Sequence, residues 1–170
     1  MSAPMLPARN EINVDYRWDL ESIFDSVKAW ESAIEVLQVR LPDVAAFQGT
    51  LSAGPTPLAD ALDAIQSIVL DAQRISMYTF LDYSVETTNQ AAGARTGQAS
   101  SLDSQVHAAL SFVEPELLEI GSDTLNLWME IEPRLVQYRH YFEQIERQRQ
   151  HLRSTEIEEL LGRVRDPFST

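Results

Sequence analysis

Residues 27–47 read VKAWESAIEVLQVRLPDVAAF, and this stretch decides the fold class. Trp30, Ile34, Leu37, Leu41, Val44 and Phe47 recur at steps of three and four. An α-helix turns once every 3.6 residues, so those steps gather the six side chains on one side. Ser26 stands just ahead, placed to cap the first free backbone N–H groups. Pro42 lacks an N–H and its ring crowds the preceding turn. A kink, or a division into two shorter helices, is expected there.

The same periodicity continues in both directions. Upstream, RWDLESIF brings Trp18, Leu20, Ile23 and Phe24 together, with Asp19 able to cap a short turn. Downstream, QGTLSAGPTP is a loop by its Gly, Ser and Pro content. Thr56 before Pro57 is the expected start of a long helix, with proline at its first position. Leu58, Leu62, Ile65, Val69 and Ala72 line one face of that helix, and the pattern runs through Ile75 and Tyr78 towards Tyr83. SVETTN breaks it. Thr88 or Asn89 then starts QAAGARTGQASSLDSQVHAALSFV, rich in residues small enough to let neighbouring helices approach, so a central packed position is expected. Gly93 and Gly97 lower its intrinsic helicity.

EPELLEI ends at Gly121, and SDTLNLWMEIEPRLVQY follows with Ser122 or Asp123 as the expected cap. Beyond Pro133 another helix carries Leu135, Tyr138, Phe142 and Ile145 on one face. Thr155, with Glu158 in capping-box spacing, announces a last helix bearing Leu160, Leu161 and Val164. No segment alternates like a strand and no repeat period is visible. The fold class is all-α: a bundle-like domain of about six or seven helices with short loops.

Composition narrows the function classes. Hydrophobic residues make up 44% of 170, enough for a real core. No apolar run approaches the roughly 18–20 residues needed to cross a bilayer, and MSAPMLPARNEINVDY has no signal-peptide pattern. With no cysteine there is no disulfide framework, thiolate nucleophile or Cys-based zinc site. A cytoplasmic protein is expected. The net charge is −13, and residues 1–133 carry 6 Lys+Arg against 20 Asp+Glu. So acidic a body repels phosphate backbones, which argues against a nucleic-acid partner. In RHYFEQIERQRQHLR the arginines interleave with Glu143 and Glu146, the pattern of a solvated, salt-bridged helix face.

Catalytic chemistry has little to work with. The histidines are His107, His140 and His151. His140 and His151 would lie about 16 Å apart on a continuous helix, too far to share an ion. H-E-x-x-H is absent. His140 and Glu143 form a single reversed pair, where di-iron bundles need Glu-x-x-His twice. His107 and Ser111 are one turn apart, with no acid to orient the imidazole. GARTG sits within a helical pattern and is not a phosphate loop. Two aromatic groups, Tyr78/Phe80/Tyr83 and Tyr138/Tyr141/Phe142, read first as core. Tyr141, off the main apolar face, is the better candidate for a partner contact.

Four segments in order carry a family resemblance. RWDLESIF followed by AWESAIEVL and LPDVAAFQGTL, then YTFLDYSVETTN, then SFVEPELLEI, then HLRSTEIEELL resemble the N-terminal region of oligoendopeptidase F, a family of M3 zinc metallopeptidases. Glu86 stands where the family usually has Asp, and Arg153 where it usually has Leu. The resemblance implies an all-α front domain packed, in the full enzyme, against a helical catalytic domain, the two enclosing a channel for short peptides. Zinc and the H-E-x-x-H helix belong to that absent half. No catalytic or metal-binding residue is therefore assigned here, no cofactor is expected in this chain, and the substrate-binding positions stay open. The helices Leu58–Tyr83 and Thr88–Val113 are the candidates for channel wall. Residues 1–17 are expected as an arm, 18–153 as the front domain, and 154–170 as the start of a linker helix towards the catalytic domain. The expected partners are that domain and short peptides, with no nucleic acid and no membrane. Alone, the chain is expected to be inactive. A stand-alone helical module binding peptides or proteins is the alternative, and it would have covered with polar residues the apolar patch that a severed domain leaves exposed.

Overall fold

The computed structural model describes residues 11–149, with side chains through Arg147. Six α-helices form among these residues and none of them is a strand. They are α1 (Val27–Ala45), α2 (Pro55–Val85), α3 (Gln90–Leu110), α4 (Val113–Ile120), α5 (Ser122–Ile131) and α6 (Arg139–Arg149). A six-residue 3₁₀ stretch, Pro133–Tyr138, precedes α6. The helix expected from Thr155, the linker 154–170 and His151 lie outside the described residues.

Caps set most of the boundaries. The Asp19 carboxylate accepts from the backbone of Ser22 at 3.2 Å, and the Ser26 hydroxyl accepts from Ala29 at 3.1 Å. Asn89 accepts from both Ala91 and Ala92 at 3.1 Å. Two expected caps fail. α2 begins at Pro55, one residue before Thr56, because Gly54 accepts the first helical bond from Leu58 at 3.0 Å. α5 begins on Gly121, whose carbonyl takes the Leu125 N–H at 3.1 Å, and no side chain of Ser122 or Asp123 caps it. Gly121 has φ +82°, a left-handed conformation that costs glycine nothing, so one residue both ends α4 and opens α5.

α1 does not divide at Pro42. The carbonyl that loses its donor belongs to Gln38, three turns in and on the exposed side, where water can replace the missing bond. The stretch after Pro133 does not continue as α-helix at once. It winds as 3₁₀ to Tyr138, with the Glu132 carboxylate receiving the Arg134 N–H at 3.3 Å.

The chain clusters into two units. The first holds residues up to Phe47 together with Ala61–Ser111, and the second holds Gln48–Asp60 and the chain from Phe112. In the first, Trp30, Leu37, Leu41 and Val44 of α1 are buried against Ile68, Ala72, Ile75 and Tyr78 of α2 and Ala99, Leu102 and Val106 of α3. The Trp30 indole N–H donates to the Ile75 carbonyl at 3.1 Å, and its ring stacks on Tyr78 at 6.2 Å. Arg40 reaches from α1 to Asp71 at 2.5 Å and to the Ser67 hydroxyl at 2.9 Å. Arg74 donates to the Ile23 carbonyl and lies over the Phe24 ring at 4.5 Å.

In the second unit Leu51, Leu58, Leu117, Leu125 and Leu135 are among the buried residues. The Glu116 carboxylate accepts the backbone N–H groups of Gly49 at 2.6 Å and Leu51 at 3.3 Å. That ties the loop after α1 to α4. Arg134 bridges Asp60 at 2.8 Å and Glu132 at 3.1 Å.

The glycines of α3 are not required by packing. A Cβ on Gly93 would meet only the Tyr83 ring, at 3.6 Å, and one on Gly97 would meet nothing within 4 Å. The buried side of α3 is a narrow row of Ala92, Ala99, Leu102 and Val106, not the all-round burial of a central helix. Its abundance of small polar residues reflects exposure.

Candidate functional site

Within the first unit, the C-terminal half of α2 and the middle of α3 enclose a groove of about 260 Å³. α2 contributes Ser76, Thr79, Phe80 and Tyr83, spaced three and four apart, and α3 answers with Thr96, Ser100 and Asp103 at the same steps. Phe80 is 64% exposed, whereas Thr79 is buried with its hydroxyl donating to the Ser76 carbonyl at 3.0 Å. The Ser76 hydroxyl donates to the Asp103 carboxylate, with oxygens at 2.9 and 3.1 Å. The same two helices are joined by Arg95 of α3, which donates to Asp82 of α2 at 2.5 Å with both side chains 18% exposed. The lining therefore offers hydroxyls, one carboxylate and aromatic rings, and no imidazole or thiol.

The aromatic group Tyr78/Phe80/Tyr83 divides. Tyr78 alone enters the core, where burial first and the Asp82 carboxylate second push its phenol above the usual value. Phe80 and Tyr83 go to the groove. A single helix presents these positions to different sides, because Tyr78 to Phe80 is a step of two and about 200° of rotation. In the second unit Phe142 is buried while Tyr138 and Tyr141 are half-buried, with ring centroids 6.3 and 6.4 Å from Phe142. Burial, and then the Glu114 carboxylate, raise the Tyr141 phenol. A second cavity, about 310 Å³, lies between α5 and α6 beside Met129, Phe142 and Glu143.

His107 and His140 are both exposed. Among the described residues no three His, Cys, Asp or Glu side chains are grouped to hold a metal ion, so the residues present do not fit a zinc centre. No helix of the described residues is long and apolar enough to cross a membrane.

Comparison with known proteins agrees with the four segments. A family described as Oligopeptidase F matches residues 116–170. Oligopeptidase PepF of Bacillus subtilis is 28% identical over 160 residues, covering 94% of this chain and 24% of its own length. The crystal structure of oligoendopeptidase-F from Enterococcus faecium superposes with a TM-score of 0.69 at 32% identity, over 80% of this chain and 27% of that one. The chain is a relative of the N-terminal region of oligoendopeptidase F. A Chlamydophila abortus protein of known structure shares the fold over 96% of the chain, with a TM-score of 0.77 at 23% identity. The chain spans about a quarter of the length of the curated relatives it matches.

Two of the segments that carry the oligoendopeptidase F resemblance have visible structural work. SFVEPELLEI supplies Glu116, which clamps the backbone of the loop within LPDVAAFQGTL. YTFLDYSVETTN supplies Thr79, Phe80 and Tyr83 to the groove, and Asn89 to the cap of α3. Sequence reading left Ser76, Thr96, Ser100 and Asp103 unassigned. For the last three the signal was present as polar side chains at i, i+4 and i+7 on α3, but nothing in the sequence says which helix that face meets.

Proposed function

We propose that this chain acts as the N-terminal, substrate-restricting domain of an oligoendopeptidase F-like zinc metalloendopeptidase that hydrolyses short peptides. The observation carrying this reading is that curated oligopeptidases align with 94% of the chain over only 24–27% of their own length. Zinc, its ligands and the general base belong to the other part of such an enzyme, and this chain carries no catalytic residue. The α2–α3 groove supports a channel-wall role, since hydroxyls flanking an exposed aromatic ring suit hydrogen bonding and packing against an extended peptide. Leu70 and Met77, 56% and 52% exposed and two turns apart on α2, favour a face covered by the catalytic part over a stand-alone module. Absence of cysteine is in keeping with a cytoplasmic setting.

The test is a chimaera in which this chain replaces the aligned quarter of PepF. It is expected to cleave a short quenched peptide in a chelator-sensitive way and to spare a folded protein. The isolated chain with added zinc is expected to cleave neither. Chelator-sensitive cleavage by the isolated chain, surviving repurification, would sink the proposal.

A further inference from the structure

Asp103 is the one carboxylate lining the α2–α3 groove. Among the described residues its hydrogen-bond donor is the Ser76 hydroxyl, shared between the two carboxylate oxygens, and no Lys, Arg or His side chain pairs with it. That single hydroxyl orients the carboxylate and leaves further lone pairs open to a donor. Nearby cations are engaged elsewhere. Arg95, two turns earlier on α3, donates to Asp82, and Arg74 on α2 is held by the Ile23 carbonyl and the Phe24 ring. His107, one turn beyond Asp103, is not part of the groove lining. The charge surplus is general: residues 11–47 and 61–111 hold 13 Asp+Glu against 5 Lys+Arg.

Two rings line the same groove. Phe80 is 64% exposed although it lines the groove, and Tyr83 is next to it, one turn on. A carboxylate and an exposed aromatic ring in one groove are the chemistry that receives a guanidinium or ammonium group. The acid takes its hydrogen bonds, and the ring takes the charge and the alkyl stem. The volume, about 260 Å³, is that of a side chain with a little of its backbone, not of a folded partner. We propose that the α2–α3 groove is a subsite for a cationic side chain, arginine or lysine, of a bound peptide, with Asp103 as counter-ion, Phe80 as platform and Ser76 as the positioning residue for the carboxylate. This rests on the reading above only in assigning the cation to a peptide.

The experiment is a titration of the full ¹⁵N-labelled chain, followed by amide chemical shifts. Its probes are acetyl-Gly-Arg-Gly-amide, the same peptide with uncharged, isosteric citrulline, and arginine amide. The expected result is that the arginine peptide shifts amides around Phe80, Ser100 and Asp103 and binds about tenfold tighter than the citrulline peptide, as losing one charge-assisted bond implies. Asp103→Asn, which keeps an oxygen for the Ser76 hydroxyl, is expected to abolish that preference and leave citrulline binding unchanged. Phe80→Ser, at an exposed position that does not endanger folding, is expected to weaken the arginine peptide about threefold. Equal binding of the two peptides overturns the subsite, as do shifts that avoid the groove, an unaltered preference in Asp103→Asn, or no binding by any probe. Asp103-dependent binding of arginine amide without peptide binding keeps the cation subsite and removes the channel-wall reading.

Discussion

Replacing Trp30 with alanine tests the core of the first unit at a fully buried side chain. The side chain is 0% exposed, it donates to the Ile75 carbonyl at 3.1 Å, and it stacks on Tyr78 at 6.2 Å. Truncating a fully buried Trp removes its transfer free energy and leaves a cavity, about 3–5 kcal/mol together. The lost indole bond, made to a residue only 1% exposed, contributes about 1 kcal/mol of that. We expect a loss of about 4 kcal/mol for Trp30→Ala, a fall in Tm of roughly 8–16 °C for a chain of this size. Trp30→Phe keeps a ring against Tyr78 but loses the bond and part of the volume, so about half that loss is expected. Trp18, 56% exposed, is the internal comparison, and Trp18→Ala should cost less than about 1 kcal/mol. Urea unfolding followed by circular dichroism reads all three, and the change should fall on the first unit's transition if the two units separate. A Trp30→Ala loss no larger than that of Trp18→Ala would refute the placement of Trp30 in the buried core between α1 and α2.

Two further outcomes are expected. Gly121→Ala and Gly121→Asn should each cost about 1–3 kcal/mol in thermal unfolding, because φ +82° with ψ +154° is a backbone region open essentially to glycine alone and a Cβ there meets nothing within 4 Å, so the whole penalty is backbone. Glu132 is held below its ordinary value of 4.5, first by the side-chain bond from Arg134 and then by that residue's backbone N–H. A carboxyl with a depressed folded value binds fewer protons folded than unfolded. Its contribution is therefore present above pH 4.5 and is lost as the pH falls through the folded value. Glu132→Gln should remove that part of the acid dependence, measurable as a flatter Tm against pH below 5.

How far the sequence could be read depended on the kind of signal. Ser26, Asp19 and Asn89 cap what they were expected to cap, because a cap is a bond between residues two or three apart. Thr56 and Ser122 failed, because glycines just ahead of each helix already served as the first acceptors. On α2 the expected face, Leu58 to Ala72 and on to Tyr78, is partly right. Leu58, Leu62, Ala72, Ile75 and Tyr78 are buried, but Ile65 and Val69 are half-buried and Ile68, unassigned, is fully so. A helix of 31 residues that belongs to two units has no single inner side, and a periodicity count averages over the change.

The sequence by itself determined that this chain is helical, where most helices start, and which enzyme family it resembles. All three are set by spacing along the chain, which is local. Only the tertiary structure decided that Ser76 meets Asp103, that Phe80 turns outward from a helix whose neighbour Tyr78 turns in, and that Glu116 clamps a loop 67 residues away. Those pairings depend on how helices rotate against one another, and rotation follows from the packing of the whole core, which no short stretch encodes.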